Sequence, residues 1–141
     1  MGDSFEMELS KIQPSQLYIS EQKLTKVKEK FNSQHRSSLD LIPIKKLGKI
    51  IFYTDGHTRA FAAYQAGFTK IPVIWEDEEL DWDLYQICIK WCNDESIYSI
   101  ADLKDRIIDQ NDYELLWYQR CNNLHKKLTI NRTEKKIFKN I

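Results

Sequence analysis

The chain has 141 residues, 42% hydrophobic and 30% charged, which suits one globular domain with a real core. Its 21 Lys and Arg balance its 21 Asp and Glu, so whole-chain charge supplies no grip on nucleic acid or on a membrane surface. No apolar stretch approaches the roughly 18 residues of a membrane span, and "MGDSFEMELSK" lacks the regions of a signal peptide. The expectation is a cytoplasmic protein with no membrane partner.

In chain order, "ELSKIQPSQLYIS" predicts a short strand, a Pro turn and a second apolar patch. Ser20 is placed to cap a helix, "EQKLTKVKEKF", with Leu24, Val27 and Phe31 at helical spacing. "NSQHRSS" breaks the pattern and reads as a loop. "LDLIPIKKLG" and "KIIFYTDG" are β-type runs joined as a hairpin, with Pro43 putting the first at a sheet edge or a strand end. A helix follows Asp55-Gly56, carries Ala60, Phe61, Ala63 and Tyr64, and stops at Gly67. "KIPVIW" is the next strand. From Asp81 on the pattern is helical: "DWDLYQICIKWC", then "ADLKDRII" under a Ser99/Asp102 capping box, then "DYELLWYQRCNNLHKKL". The end, "NRTEKKIFKNI", is expected to fray. The fold class is α+β, one domain, with a helical extension over 80–128 and a basic tail over 129–141.

Charge is uneven locally. Residues 76–83 hold six acids and no base, while 121–141 hold six Lys/Arg and one acid. The acidic run reads as a solvated helix start, because acids favour helix N-termini. The three cysteines, Cys88, Cys92 and Cys121, form no even set and show no zinc spacing with His35, His57 or His125, so they read as reduced packing thiols. Trp75, Trp82, Trp91 and Trp117 read as core before base-stacking. Arg120 is a further residue that the fold could bring to the site.

The stretch "FYTDGHTRAFAAYQAG" carries the chemistry. A strand that turns through glycine into a helix leaves unpaired N–H groups at the positive end of the helix dipole, a start that attracts phosphate. Arg59 adds a fork of donors, His57 and Thr58 add two more, and Gly56 lets a ligand approach the backbone. The plain alternative has Asp55 capping the helix, Gly56 making the turn and Arg59 on the surface.

"YTDGHTRAFAAYQAGFTKIPV", with "IQPSQLYIS" and "LIPIKKLGKIIFYTDG" upstream, resembles the core of the ParB/sulfiredoxin-like superfamily over residues 8–75. The resemblance implies a small mixed sheet with helices and a nucleotide-phosphate site at the turn, with Gly56 and Arg59 at the matching glycine and arginine and His57 and Thr58 between them. Sulfiredoxins carry a catalytic cysteine where this chain has His57, which speaks against that reductase activity. Partition proteins carry a Glu-Arg-Arg-type turn and a long DNA-binding region that this chain does not match. The turn is most similar to that of free-serine kinases, which implies Asp55 as the turn acid and Glu21 as a catalytic acid near the first helix. Phosphoryl transfer asks mainly for positioning and charge neutralisation, so ATP or ADP, Mg²⁺ on Asp55, and Glu21 as proton acceptor form the implied set. Glu21 also has the reading of a first-turn acid that stabilises its helix. The resulting expectation is a nucleotide-binding phosphotransferase acting on a small hydroxyl substrate such as free serine. The alternatives are a non-enzymatic DNA- or protein-binding module, and a nucleotide hydrolase or nuclease.

Overall fold

The protein is seen as a computed structural model that describes residues 3–31 and 39–139; the stretch "NSQHRSS", expected as a loop, lies outside them. It is a mixed α+β structure. Strands β1 (Phe5–Glu8), β5 (Lys70–Trp75), β3 (Ile42–Leu47) and β4 (Ile50–Tyr53) form one sheet in the order β1-β5-β3-β4. The β3–β5 pair is parallel and the other two are antiparallel. Strand β2 (Ile19–Ser20) pairs separately, in parallel, with β6 (Ile107–Ile108). The helices are α1 (Glu21–Lys30), α2 (His57–Gln65), α3 (Trp82–Asp94), α4 (Gln110–Tyr113) and α5 (Gln119–Lys139).

Alternation along the strands decides what covers each face. Ile42 and Ile44 of β3, paired with Val73 and Trp75, point with Ile71 and Tyr53 into the main core. Helix α2 supplies Ala60, Phe61, Ala62 and Ala63 to that core; the alanines let the helix lie close, and burying Phe61 is worth about 1.5–3 kcal/mol. Phe52 points to the other face, where Trp82 and Tyr85 of α3 pack against it with ring centroids 6.2 and 5.4 Å away.

Most of the expected elements stand where the pattern puts them. Ser20 accepts from the Lys23 amide and caps α1. β3 and β4 form a hairpin, and Gly67, at φ +90°, follows the end of α2. Four expectations need correction. The first strand lies upstream of "IQPSQLYIS", at Phe5–Glu8, while Leu9–Lys11 make a 3₁₀ turn and Gln13 forms a single bridge to Phe52. Pro14, lacking an N–H, follows that bridge and prevents it from becoming a strand. Second, "ADLKDRII" has its capping box, but its helix is one 3₁₀ turn, Ile100–Leu103. The β-branched pair Ile107–Ile108 joins β2 instead, held by the Ile19 amide on the Arg106 carbonyl (3.0 Å) and Arg106 Nε on the Leu17 carbonyl (2.7 Å). Third, α5 continues through residue 139 rather than fraying at the basic end. No glycine or proline follows Pro72, so nothing in the chain stops the helix. Arg132 also anchors it, donating to Asp81 (2.7 Å) and Asp83 (3.2 Å) at the start of α3. Asp81 is thereby held below its usual carboxylate range, chiefly by the Arg132 hydrogen bond. Fourth, the acidic run is mostly a link between β5 and α3, with Asp81 alone as the N-cap, accepting from the Leu84 amide.

Pro43 lies in β3, an interior strand, near its start. The register makes it the partner of Thr54, whose amide donates to the Pro43 carbonyl at 3.1 Å. The return bond needs an N–H that proline does not have. The Thr54 carbonyl accepts from Tyr85 Oη instead, at 3.0 Å. Tyr85→Phe is therefore expected to destabilise the protein by about 1 kcal/mol, and by less in a Pro43→Ala background, where the strand can supply its own donor. Equal losses in the two backgrounds, by denaturant unfolding, would show that Tyr85 does not stand in for the missing amide.

Candidate functional site

Strand β4 ends at Tyr53, and three residues later Gly56 adopts φ +80°, ψ 18° as the N-cap of α2. That conformation is what favours glycine, and the surroundings leave a side chain little room. A Cβ there would meet Arg59 Nη2 at 2.9 Å and Ile42 Cγ2 at 3.2 Å. Arg59 thus folds back over the turn, with Nη1 donating to the Leu41 carbonyl at 2.9 Å. Asp55 does not cap the helix; its Oδ1 accepts from the Gly56 amide at 2.7 Å. Among the described residues no side chain caps α2, which leaves N–H groups of its first turn open beside the cleft.

The turn residues Asp55 to Arg59 line a cleft of about 340 Å³ together with Lys23 and Lys26 of α1 and Tyr113 of α4. Three cations thus face one carboxylate beside the positive end of a helix. Burial lowers the Lys23 pKa, against the opposing pull of Asp55 and Glu114. A larger and more apolar groove of about 480 Å³ lies at the other end of α2, between Tyr64, Phe68 and Ile100, and has no such cluster of cations.

His57 plays a different part from its neighbours. It is buried, its Nε2 accepts from the Ser15 amide at 2.9 Å, and its ring lies 5.1 Å from that of Tyr53. Burial lowers its pKa to about 4, partly opposed by Asp55. The ring is therefore neutral and carries its proton on Nδ1, so only Nδ1 is left to donate to a ligand. The remaining phosphate candidates, Gly56, Thr58 and Arg59, sit together as the spacing requires. Glu21 does not join them. It is exposed in the first turn of α1, and at about 100° per residue it falls on the side of that helix opposite Lys23, Lys26 and Val27.

Lys23 and Lys26 were within reach of sequence reasoning, since with Val27 they are spaced i, i+3, i+4 and share a face of α1. Tyr113 gave no such signal, because its place depends on the β2–β6 pairing. The tryptophans lie elsewhere. Trp117 is buried edge-to-face against Trp91 (6.3 Å), Trp82 packs on Phe52, and Trp75 is exposed beside Phe5. Arg120 stacks over Trp91 at 4.0 Å and lines a different groove. Cys88 and Cys92 are buried free thiols and Cys121 is a half-buried one. Among the described residues no group of three His, Cys, Asp or Glu is placed to hold a metal, and no helix is long and apolar enough to cross a membrane.

No family model matches the chain, and no curated protein matches it. The chain is similar in fold to a solved structure, protein Atu1540 from Agrobacterium tumefaciens, with a TM-score of 0.50 and 10% sequence identity. The likeness covers 73% of this chain and 62% of that one, so this chain spans less than two thirds of its neighbour's length. At that identity the likeness concerns the fold alone.

Removing the buried histidine tests the geometry around it. Between about pH 6.5 and pH 4 the unfolded chain protonates His57 while the folded chain does not. Stability is therefore full above about 6.5 and falls as the pH drops toward 4, by on the order of 3 kcal/mol. His57→Gln, which can keep an acceptor for the Ser15 amide, is expected to lose that part of the slope in urea unfolding across this range. An unchanged slope would mean that His57 is not neutral and buried in solution.

Proposed function

We propose that this protein binds the phosphate groups of a nucleotide, ATP or ADP, in the cleft at the start of α2, and that it transfers a phosphoryl group to a small hydroxyl substrate such as free serine. One observation carries the proposal: Lys23, Lys26 and Arg59 converge with the first turn of α2 on a cleft holding a single carboxylate, Asp55. Arg59 and the backbone N–H groups suit phosphate oxygens, and the turn resembles that of the free-serine kinases. The donor set fits Mg²⁺ that arrives with the nucleotide: Asp55 spends one oxygen on the Gly56 amide and has the other to give, and Mg²⁺ takes one or two carboxylates along with phosphate oxygens. When bound, the metal would neutralise charge on the phosphates. Of the two acids implied by the resemblance, Asp55 lies in the cleft, where its free oxygen suits the metal; Glu21 would have to act from outside it.

Arg59→Ala is expected to weaken ATP or ADP binding by about 1.5–3 kcal/mol, the range for a charge-assisted hydrogen bond. Calorimetry giving equal affinities for wild type and variant would remove Arg59 from the phosphate site.

Asp55→Asn is expected to remove the Mg²⁺-dependent part of nucleotide affinity and to lower phosphoryl transfer by about 10²-fold or more, while Glu21→Gln leaves both near wild type. Product analysis over a panel of hydroxyl compounds, free serine first, makes the comparison. Loss of transfer in Glu21→Gln alone would return the proton-accepting role to Glu21. A wild-type protein that binds nucleotide and consumes none would leave a binding module in place of a kinase.

A further inference from the structure

The resemblance ends at residue 75, yet residues after it reach the cleft. Tyr113 lines it, and the five residues that follow, Glu114–Tyr118, form a π-helical turn in which the Gln119 amide bonds to the Glu114 carbonyl. The turn has a geometric consequence. Residues five apart lie about 140° from one another around an α-helix, at about 100° each. A turn closed from i to i+5 brings them back toward one side. Tyr113 and Tyr118 are five apart, and their rings meet edge to face at 4.9 Å and 73°.

The Lys23 ammonium sits against both rings, 5.0 Å from the Tyr113 centroid and 4.6 Å from that of Tyr118, and it donates to Tyr118 Oη. A lysine on the surface of a helix samples many rotamers on its four-carbon stem. This one is fixed by two aromatic faces and a hydroxyl, at the lip of the cleft that contains Asp55 and Arg59. Cation–π contacts hold the charge without neutralising it, so it stays available to an anion.

We propose that the π-helical turn of the C-terminal extension completes the phosphate site, with Tyr118 as a positioning residue that aims the Lys23 ammonium at the bound phosphate. This rests on the nucleotide-binding reading above. It gives the extension a role at the site: the α1 lysine supplies the charge, and the π turn supplies the order that makes that charge effective. The entropy cost of fixing the lysine is met during folding, before ligand arrives.

The test is calorimetric titration of ADP, and separately of inorganic pyrophosphate, into the wild-type chain, Lys23→Gln, Tyr118→Phe and the double variant. Lys23→Gln is expected to weaken binding about 10- to 100-fold, the loss of one hydrogen bond from a charged donor. Tyr118→Phe keeps the ring and removes the hydroxyl, and is expected to weaken binding several-fold. Because Tyr118 acts through Lys23, the double variant binds no more weakly than Lys23→Gln. A pH series separates this from a purely structural role. Wild-type affinity falls as the pH rises through the Lys23 pKa, which burial sets below its usual value, and Lys23→Arg abolishes that fall. Tyr118→Phe binding like wild type, or losses that multiply in the double variant, would overturn the positioning role. If Arg59→Ala abolishes binding while Lys23→Gln and Tyr118→Phe leave it intact, the nucleotide reading stands and this one ends. A wild-type chain that takes up neither anion overturns both.

Discussion

The Ser15 amide donates to His57 Nε2 across 2.9 Å, and the geometry at the start of α2 depends on that bond. A second one runs beside it, from Ser15 Oγ to the Tyr53 carbonyl at 2.8 Å. Together they tie Ser15 to the end of β4 and to the first turn of α2. The histidine is buried and neutral, so its ring acts here as an acceptor of fixed orientation. Gly56 then turns the backbone within the space that Arg59 and Ile42 leave. The donors at the head of α2 are in place before any ligand binds, which is the condition under which they contribute most to binding an anion.

The second half of the chain is held to the first by a few polar anchors set among apolar contacts. Arg106 reaches the Leu17 carbonyl and Glu95 (2.7 Å each), β6 pairs with β2, and Ser20 Oγ donates to Gln110 at 2.6 Å. The β2–β6 pair is only two residues long on each strand, but it sets the origin of α4 and so the position of Tyr113. The acidic and basic segments, far apart in sequence, meet through Arg132 and the acids at the start of α3. Those pairs are largely exposed, so each adds little to stability by itself.

Local chemistry made the hairpin, the α1 cap, the α2 start and its glycine stop legible from the residues. The cluster of Gly56, Thr58 and Arg59 was legible for the same reason, since four consecutive residues on one turn cannot be far apart. Long-range pairing was not legible. "DRII" has helical neighbours and a proper cap, yet Ile107 and Ile108 join a strand that lies 88 residues earlier in register. The burial of His57 depends on Ser15, which sits 42 positions away and carries no sign of the contact. Pro43 is an instance of the same limit. A local rule sends it to a sheet edge or a strand end; it lies near the start of a strand, but of an interior one, which a hydroxyl from α3 makes tolerable.

The sheet's outer strands bear on how copies of this chain meet one another. Any β-sheet ends in rows of amides and carbonyls that can template a foreign strand and start aggregation. On the β4 side the row is already engaged, because the Gln13 amide bonds to the Ile51 carbonyl and the Tyr53 amide to the Gln13 carbonyl. Pro14 comes next and offers no donor with which to extend the ladder. On the β1 side the strand is only four residues long, which limits the ladder it can offer a second copy. A bridge of one residue thus shields the end of the sheet nearest the cleft from self-association.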